Sequence, residues 1–401
     1  MTDVQTPLLR DIRVLDLSRV LAGPYCTMML GDLGADIIKI EAPGSGDDTR
    51  HWGPPFAPGG ESAYFLCVNR NKRSITLNLK SHQGQEILRD LIRKSDILLE
   101  NFRVGTMEGW GLSYETLQDI HPGLIYCTIT GYGYSGPRQH LAGYDFIIQA
   151  QGGLMSITGP ETGEPYKVGV AVADITAGLF ACNAILASLF EHQRSGRGQR
   201  IDISLLDSQI AWLANVGSNY LISNEKPARY GNAHPNIVPY QIFKAKDGYF
   251  AIGIGNDNQW RQFCKKTGQQ DWAEDTRFFS NANRVKNRKE LIPLLEDLFS
   301  QSEVTHWLSI LETCGIPCGS INTVDQALED PQVQAREMVI DLPHPSAGTI
   351  RMVASPLKIP TAPPEVRLPP PMLGEHTEQI LLDVLGYDQK AVESLRKAQV
   401  I

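Results

Sequence analysis

The chain has 401 residues, 42% of them hydrophobic and 20% charged, which exceeds one compact core and leads us to expect about two domains. A formal net charge of -8 leaves no basic face of the kind that phosphate backbones require, so nucleic acid is excluded as a main partner. Seven scattered cysteines, of which only Cys314 and Cys318 lie close together, fit reduced thiols in a cytoplasmic protein, and no metal-ligand spacing occurs.

The first residues, M-T-D-V-Q-T-P-L-L-R-D, lack a basic region followed by an apolar core, so no signal peptide is expected. No uncharged apolar run nears the ~20 residues that span a bilayer, and no membrane partner is expected. I-R-V-L-D-L reads as a short strand, L-A-G-P-Y-C-T-M-M-L-G-D-L-G as a helix stopped by Gly34, and A-D-I-I-K-I-E as a second strand. That order is the βαβ unit of a parallel sheet. It recurs in the strand S-I-T-L-N-L, a helix from Gly84 to Lys94, the strand D-I-L-L-E-N, a helix from Tyr114 to Ile120 and the strand L-I-Y-C-T-I-T. A long helix over 174–193, the turn R-S-G-R-G-Q-R, the strand I-D-I-S-L and a helix over 205–223 follow.

From Pro227 the character changes. R-Y-G-N-A-H-P-N-I-V-P-Y is a loop, and Y-Q-I-F-K-A-K-D-G-Y-F-A-I-G-I reads as a hairpin turning at Asp247 and Gly248. Short helices run on to about residue 325, the Pro-rich T-A-P-P-E-V-R-L-P-P-P-M-L is an extended connector, and L-G-E-H-T-E-Q-I-L-L-D-V-L opens a last helix. We therefore expect an α/β domain over 1–225, a small α+β domain over 226–325, and a linker with a return to the large domain over 326–401.

Three patterns bear on chemistry. The first is K-V-G-V-A-V-A-D-I-T-A-G-L-F-A, where Asp174 is the one carboxylate in a small, apolar run. Two readings stay open there: an N-cap of the helix that follows, and a nucleophile held at a helix N-terminus. The second is V-N-R-N-K-R-S-I-T-L-N-L-K, which sets Arg70, Lys72, Arg73 and Lys80 at a strand, either as a solvated loop or as a phosphate site. The third is E-N-F-R-V-G, which puts Phe102 and Arg103 at a strand's carboxyl end, where open α/β sheets bind ligands. A nicotinamide dehydrogenase is the weaker reading, because S-R-V-L-A-G-P after the first strand lacks G-x-G-x-x-G. G-x-S-x-G and H-E-x-x-H are absent as well.

Taken in order, the motifs V-L-D-L-S-R-V-L-A-G-P, L-G-A-D-I-I-K-I-E, G-S-G-D-D-T-R, N-R-N-K-R-S-I-T-L-N-L-K, E-N-F, A-D-I-T-A-G-L-F-A, S-G-R-G-Q-R-I-D-I-S-L-L-D, G-I-P-C-G and L-G-E-H-T resemble the class III CoA-transferases, of the formyl-CoA:oxalate and carnitine kind. The resemblance runs from Val14 to Val400. It implies a large Rossmann-like domain built from both chain ends, a smaller middle domain and an obligate homodimer of interlocked rings. It implies that Asp174 is the nucleophile, and that CoA meets Arg19, Leu77, Lys80, Asn101, Phe102 and Tyr144. No cofactor is held permanently; a CoA thioester and small carboxylic acids are the substrates.

Within the family, H-x-x-I-V-P-Y-Q-x-F-K-x-K-D-G-Y and P-P-P-x-L-G-x-H-T resemble the members that act between succinyl-CoA and glutarate. Leu21 stands where formyl-CoA transferase has a glutamine that touches a very small acid, which turns the expectation toward dicarboxylates. Arg50, His51 and His234 are the candidate partners for a distal carboxylate. Trp110, in E-G-W-G-L, is a candidate to stack on adenine. An α-methylacyl-CoA racemase of the same fold is the rival, but it carries G-H-D where this chain has G-Y-D, Gly143 to Asp145.

Overall fold

The computed structural model describes residues 6–401; the first five positions of the stretch that reads as free of a leader lie outside it. The described chain divides into two compact units. One takes the residues up to Leu154 with Val168–Gly217 and Gln332–Ile401, the other Met155–Lys167 and Ser218–Pro331. Residues 155–167 and 218–225, expected in the large domain, thus belong to the second unit.

The first unit is organised by six parallel strands: β1 (Arg13–Asp16), β2 (Asp36–Glu41), β3 (Lys72–Thr76), β4 (Ile97–Glu100), β5 (Ile125–Thr130) and β6 (Arg200–Ser204). Their order is β3-β2-β1-β4-β5-β6. β4 and β5 are buried throughout, because helices cover both faces of a parallel sheet. One face packs Val14, Leu99, Ile129 and Ile185; the other packs Leu15, Ile75, Leu98 and Ile380. The chain winds outward in opposite directions from β1 and β4, so a crevice opens at the carboxyl ends of those two strands.

Helix α1 (Ala22–Asp32) follows β1, and the long helix Val172–Ser195 lies against it. That long helix is apolar enough to cross a membrane by length and composition, with a mean hydropathy of 1.7 over its best window. Its Ala173, Ala177, Ala181, Ile185 and Leu189 are instead buried in the sheet core. A Cβ placed on Gly178 would stand 2.5 Å from the carbonyl oxygen of Ala22, so only glycine lets the two helices meet this closely. The helix expected over 205–223 is broken into Leu205–Ala211 and Ala214–Ser223, with Ala214, the first residue of the second, at φ +38.

The second unit has an antiparallel sheet of β7 (Tyr240–Lys244), β8 (Tyr249–Gly253) and β9 (Cys318–Ser320). Its core is aromatic, with Phe243, Phe250, Phe263, Phe299 and Trp307 packed together.

The carboxy-terminal residues return to the first unit. A hairpin of β10 (Val339–His344) and β11 (Gly348–Val353), not anticipated in the sequence, packs Ile350 and Met352 with Leu66. The Pro-rich connector then runs beside the edge strand β3. Backbone N–H groups of Arg367 and Leu368 donate to Asn71 Oδ1 (2.7 and 3.0 Å), and that of His376 donates to the Ser74 carbonyl (2.8 Å). An otherwise open sheet edge is thereby covered.

Candidate active site

Two adjoining cavities occupy the crevice where β1 and β4 end. The larger, about 810 Å³, is walled by Leu77, Lys80, Trp110 and the loop around Pro43 to Asp48. The smaller, about 210 Å³, is walled by Leu21, Gly131, Gly143, Tyr144, Leu205 and Asp174. Arg19, Asp48, Phe102 and Arg103 line both. Asn101 ties the two strand ends together: its side-chain oxygen accepts the Arg19 N–H (2.9 Å), and its amide donates to the Arg19 carbonyl (2.8 Å). Val20, next in the chain, sits at φ +70, a strained conformation for a β-branched residue, with its N–H donating to Asp47 Oδ1 (3.2 Å). Phe102 and Trp110 meet edge-on at 5.3 Å, an aromatic wall beside the cations.

Asp174 is not the helix cap. Ala171 occupies the N-cap position without a side-chain bond, and Asp174 is the third helical residue. The capping work falls to Asp145, whose Oδ1 accepts the Ala173 N–H (2.8 Å) while its Oδ2 accepts from Gln149 (2.7 Å). Capping from another segment leaves Asp174 free to line the cavity. Burial first, and the Asp145 carboxylate second, push Asp174 up to about 7. A helix N-terminus favours an ionised carboxylate, but here burial outweighs it. Tyr64 is raised to about 12 by burial and then by Asp174. The floor beneath is made by two glycine turns in contact: a Cβ on Gly131 would lie 2.6 Å from the Gly143 Cα.

Three of the four cations in the basic run around β3 are held by acids. Arg70 forms a fork with Asp32 (2.9 and 2.7 Å), Lys72 reaches Asp16 (3.0 Å), and Arg73 forks onto Asp36 (2.9 and 2.7 Å). Arg73 lines neither cavity, so the phosphate reading of its position, and with it a CoA contact there, is not supported. Lys80 alone of the four reaches the crevice, exposed and without an ion-pair partner among the described residues. Arg103 is likewise exposed and forms no ion pair among the described residues, whereas Arg19 meets Asp48 at 3.1 Å. Leu77, Asn101, Phe102, Tyr144 and Leu21 all line the crevice.

The distal-carboxylate candidates fare differently. Arg50 is buried, forks onto Glu41 (2.8 Å twice) and lies 3.7 Å from the Phe65 ring centre, so its donors are committed to the interior. His51 is exposed, outside both cavities, with Nε2 at 2.9 Å from the Ser45 carbonyl. His234 belongs to the second unit, where its Nδ1 accepts the Asn236 N–H (3.0 Å). Among the described residues, no group of three His, Cys, Asp or Glu stands close enough to hold a metal ion. Sequence reasoning missed Asp145, Tyr64 and Glu100; the adjacency of Asp145 to Tyr144 in G-Y-D was the available signal.

The profile of CoA-transferase family III matches residues 9–377. A succinyl-CoA:glutarate CoA-transferase of Mus musculus is 47% identical over 393 residues, covering 98% of this chain and 90% of that protein. A succinate–glutarate CoA-transferase of Agrobacterium fabrum is 44% identical, covering 98% and 100%. The crystal structure of a CAIB/BAIF family protein from Brucella suis matches with a TM-score of 0.84 and 44% identity, over 95% of this chain and 100% of that one.

Proposed function

This chain belongs to CoA-transferase family III, and from that premise we propose that it moves CoA from succinyl-CoA to glutarate or a similar dicarboxylate, with Asp174 as the nucleophile. The observation that carries the reading is the desolvated Asp174 carboxylate facing a small cavity that adjoins a larger, cation-bearing cleft. Lys80, Arg103 and Arg19 suit the phosphates of CoA, and the Trp110–Phe102 wall suits its adenine. The named substrates of the Mus musculus and Agrobacterium fabrum relatives support the dicarboxylate.

An Asp174 oxygen attacks the thioester carbonyl, and CoA thiolate leaves, giving an acyl-aspartyl anhydride. The thiolate then attacks the aspartyl carbonyl, forming an aspartyl-CoA thioester and releasing the donor acid. The acceptor carboxylate attacks that thioester, giving a second anhydride and thiolate again. Attack of the thiolate on the acceptor's acyl carbon yields the new acyl-CoA and frees Asp174. One thioester is exchanged for another, so the energetics call for no ATP, metal or flavin. A carboxylate with a raised pKa is the better nucleophile, since basicity and nucleophilicity rise together.

The racemase alternative needs an acid and a base on opposite sides of a carbon. Tyr144 stands where a histidine would, and no histidine lines either cavity among the described residues. An obligate homodimer is part of the proposal. Phe146, Phe180, Phe190 and Trp212 of the first unit are 42–58% exposed, an apolar surface that a second copy would cover.

Hydroxylamine trapping during turnover tests the nucleophile: a hydroxamate on Asp174 is expected, and one on another carboxylate would refute the assignment. A panel of acids assayed with succinyl-CoA, read by mass of the acyl-CoA products, tests the substrate. Glutarate or a near neighbour should win, and a clear win for oxalate or carnitine would overturn the dicarboxylate reading. Native mass measurements at high dilution test the dimer, which an active monomer would refute.

A further inference from the structure

Glu100 ends β4 at the strand switch, fully buried, and the cycle above gives it no part. Its Oε2 accepts the Phe102 N–H at 2.6 Å. Its Oε1 accepts the hydroxyls of Tyr126 at 3.3 Å and Tyr134 at 3.4 Å. These donors come from three places. Phe102 begins the segment that, with Arg103, lines both cavities, and Tyr126 lies on β5. Tyr134 belongs to the Gly131–Gly136 loop, whose Gly131 lines the Asp174 cavity and whose Tyr134 N–H is held by Asp202 at 3.0 Å.

Glu100 forms no ion pair among the described residues. As a purely structural element such a group is costly, because a buried acid without a cation is stabilised only by its hydrogen bonds. What it supplies is a side-chain link between the segments that follow the neighbouring strands β4 and β5, beyond the point where their backbones pair. We propose that Glu100 is a positioning residue for acyl-CoA: one carboxylate holds the Phe102–Arg103 segment and the glycine loop together, keeping the CoA cleft and the Asp174 cavity in register. The inference rests on the assignment of the larger cleft to CoA.

Its charge has a second effect. Burial pushes Glu100 up to about 7 against the hydrogen bonds that favour its ionised form, and Glu108 adds to the rise. Ionised Glu100 is an unbalanced negative charge under the segment that receives CoA phosphates, so CoA binding favours the protonated form and weakens as pH rises through 7. The other groups facing it do not compete in that range. Tyr126, Tyr134 and the neighbouring Cys127 are all pushed up by burial and by Glu100 itself, and the Arg200 guanidinium lies 4.6 Å from the Tyr134 ring centre. Asp174 does titrate there and must be removed.

Calorimetric titration of free CoA, in an Asp174→Asn parent at about pH 6 and about pH 8, reads both effects. Glu100→Gln keeps the geometry and should bind as the parent does at the lower pH, with a flatter pH dependence. CoA's own phosphate ionisation affects both chains alike. Glu100→Ala strands three donors and should weaken binding ~10-fold at both pH values. Tyr134→Phe, made with Asp174 intact, removes only the loop arm and guards against a misfolded alanine variant; it should lower kcat while leaving KM for acyl-CoA nearly unchanged. Parental affinity in Glu100→Ala, a parental pH slope in Glu100→Gln, or parental kinetics in Tyr134→Phe would overturn the proposal. Failure of the Asp174→Asn parent to bind CoA at all would instead refute the cleft assignment on which it rests.

Discussion

The two sides of the sheet treat buried acids in opposite ways. On the β1–β3 side each acid named above meets a cation: Asp16 with Lys72, Asp47 with Lys39, Glu41 with Arg50, Asp32 with Arg70 and Asp36 with Arg73. On the side of β4 and the long helix, Glu100, Asp145 and Asp174 pair with none among the described residues. The electrostatic outcomes diverge accordingly. Burial alone would raise Asp16, but Lys72, Lys39 and hydrogen bonds from Ser18 and Thr27 hold it at about 2. Asp174, half-buried, and Glu100, fully buried, both lack cations and are pushed up to about 7 by desolvation. Neutralised acids stabilise strand ends and loops; unneutralised ones are left available for chemistry.

The sharpest way to break this contrast is to remove the reactive carboxylate. Asp174→Asn keeps the shape of the side chain, but an amide cannot form the anhydride, so transfer should fall by ~10⁴-fold or more. The variant should fold and dimerise as before. Steady-state transfer assays on purified protein check this, and substantial residual turnover would place the nucleophile elsewhere.

Next in size is a break on the paired side. Lys72→Met leaves Asp16 buried with its main cation gone, which should cost about 3–5 kcal/mol in urea unfolding. Adding Asp16→Asn should recover part of that loss, because the stranded charge disappears with it. If the single and double variants were equally unstable, packing of the lysine stem rather than charge pairing would explain the loss.

The cations divide the same way. Lys80→Ala and Arg103→Ala should each raise KM for acyl-CoA by ~10-fold with a smaller change in kcat, as lost phosphate contacts do. Arg73→Ala should lower stability and leave KM unchanged, since its guanidinium is held by Asp36. A raised KM in Arg73→Ala would restore the basic run to the binding site.

That division was not legible in the sequence. The alternation of short apolar strands with helices announced the parallel sheet, because periodicity depends on near neighbours alone. Leu77, Lys80, Asn101, Phe102, Tyr144 and Asp174 were found through motif order and do line the crevice. The run Arg70 to Arg73 looked like a phosphate site because its partners Asp16, Asp32 and Asp36 lie more than thirty residues away in the chain. Arg50 misled for a related reason: G-D-D-T-R reads as a polar loop, yet Glu41 draws the guanidinium inward. The cap of the long helix was invisible since Asp145 supplies it from twenty-eight residues upstream. Tertiary pairing, which local composition does not encode, decided each case.

The smallest effect concerns stability and pH. Asp174 is raised from 3.8 to about 7, so the folded state binds that proton more tightly than the unfolded chain does. The resulting stabilisation is fully present below about pH 4, declines as pH rises, and is gone above about pH 7. Glu100, raised from 4.5 to about 7, acts in the same direction. Asp16, Glu41 and Asp47 act the other way: their folded values are lowered, so their stabilisation is present above about pH 4 and lost as pH falls. Asp174→Asn removes only the first of these contributions. Its melting temperature should match the parent's near pH 4 and exceed it by about 2 °C near pH 8, where the parent must bury a charge. Thermal melts at the two pH values are the check. An equal gain at both would trace the effect to packing. No gain at the higher pH would mean that Asp174 carries its charge at no cost to folding, as Asp16 does, and the contrast between the two sides of the sheet would disappear.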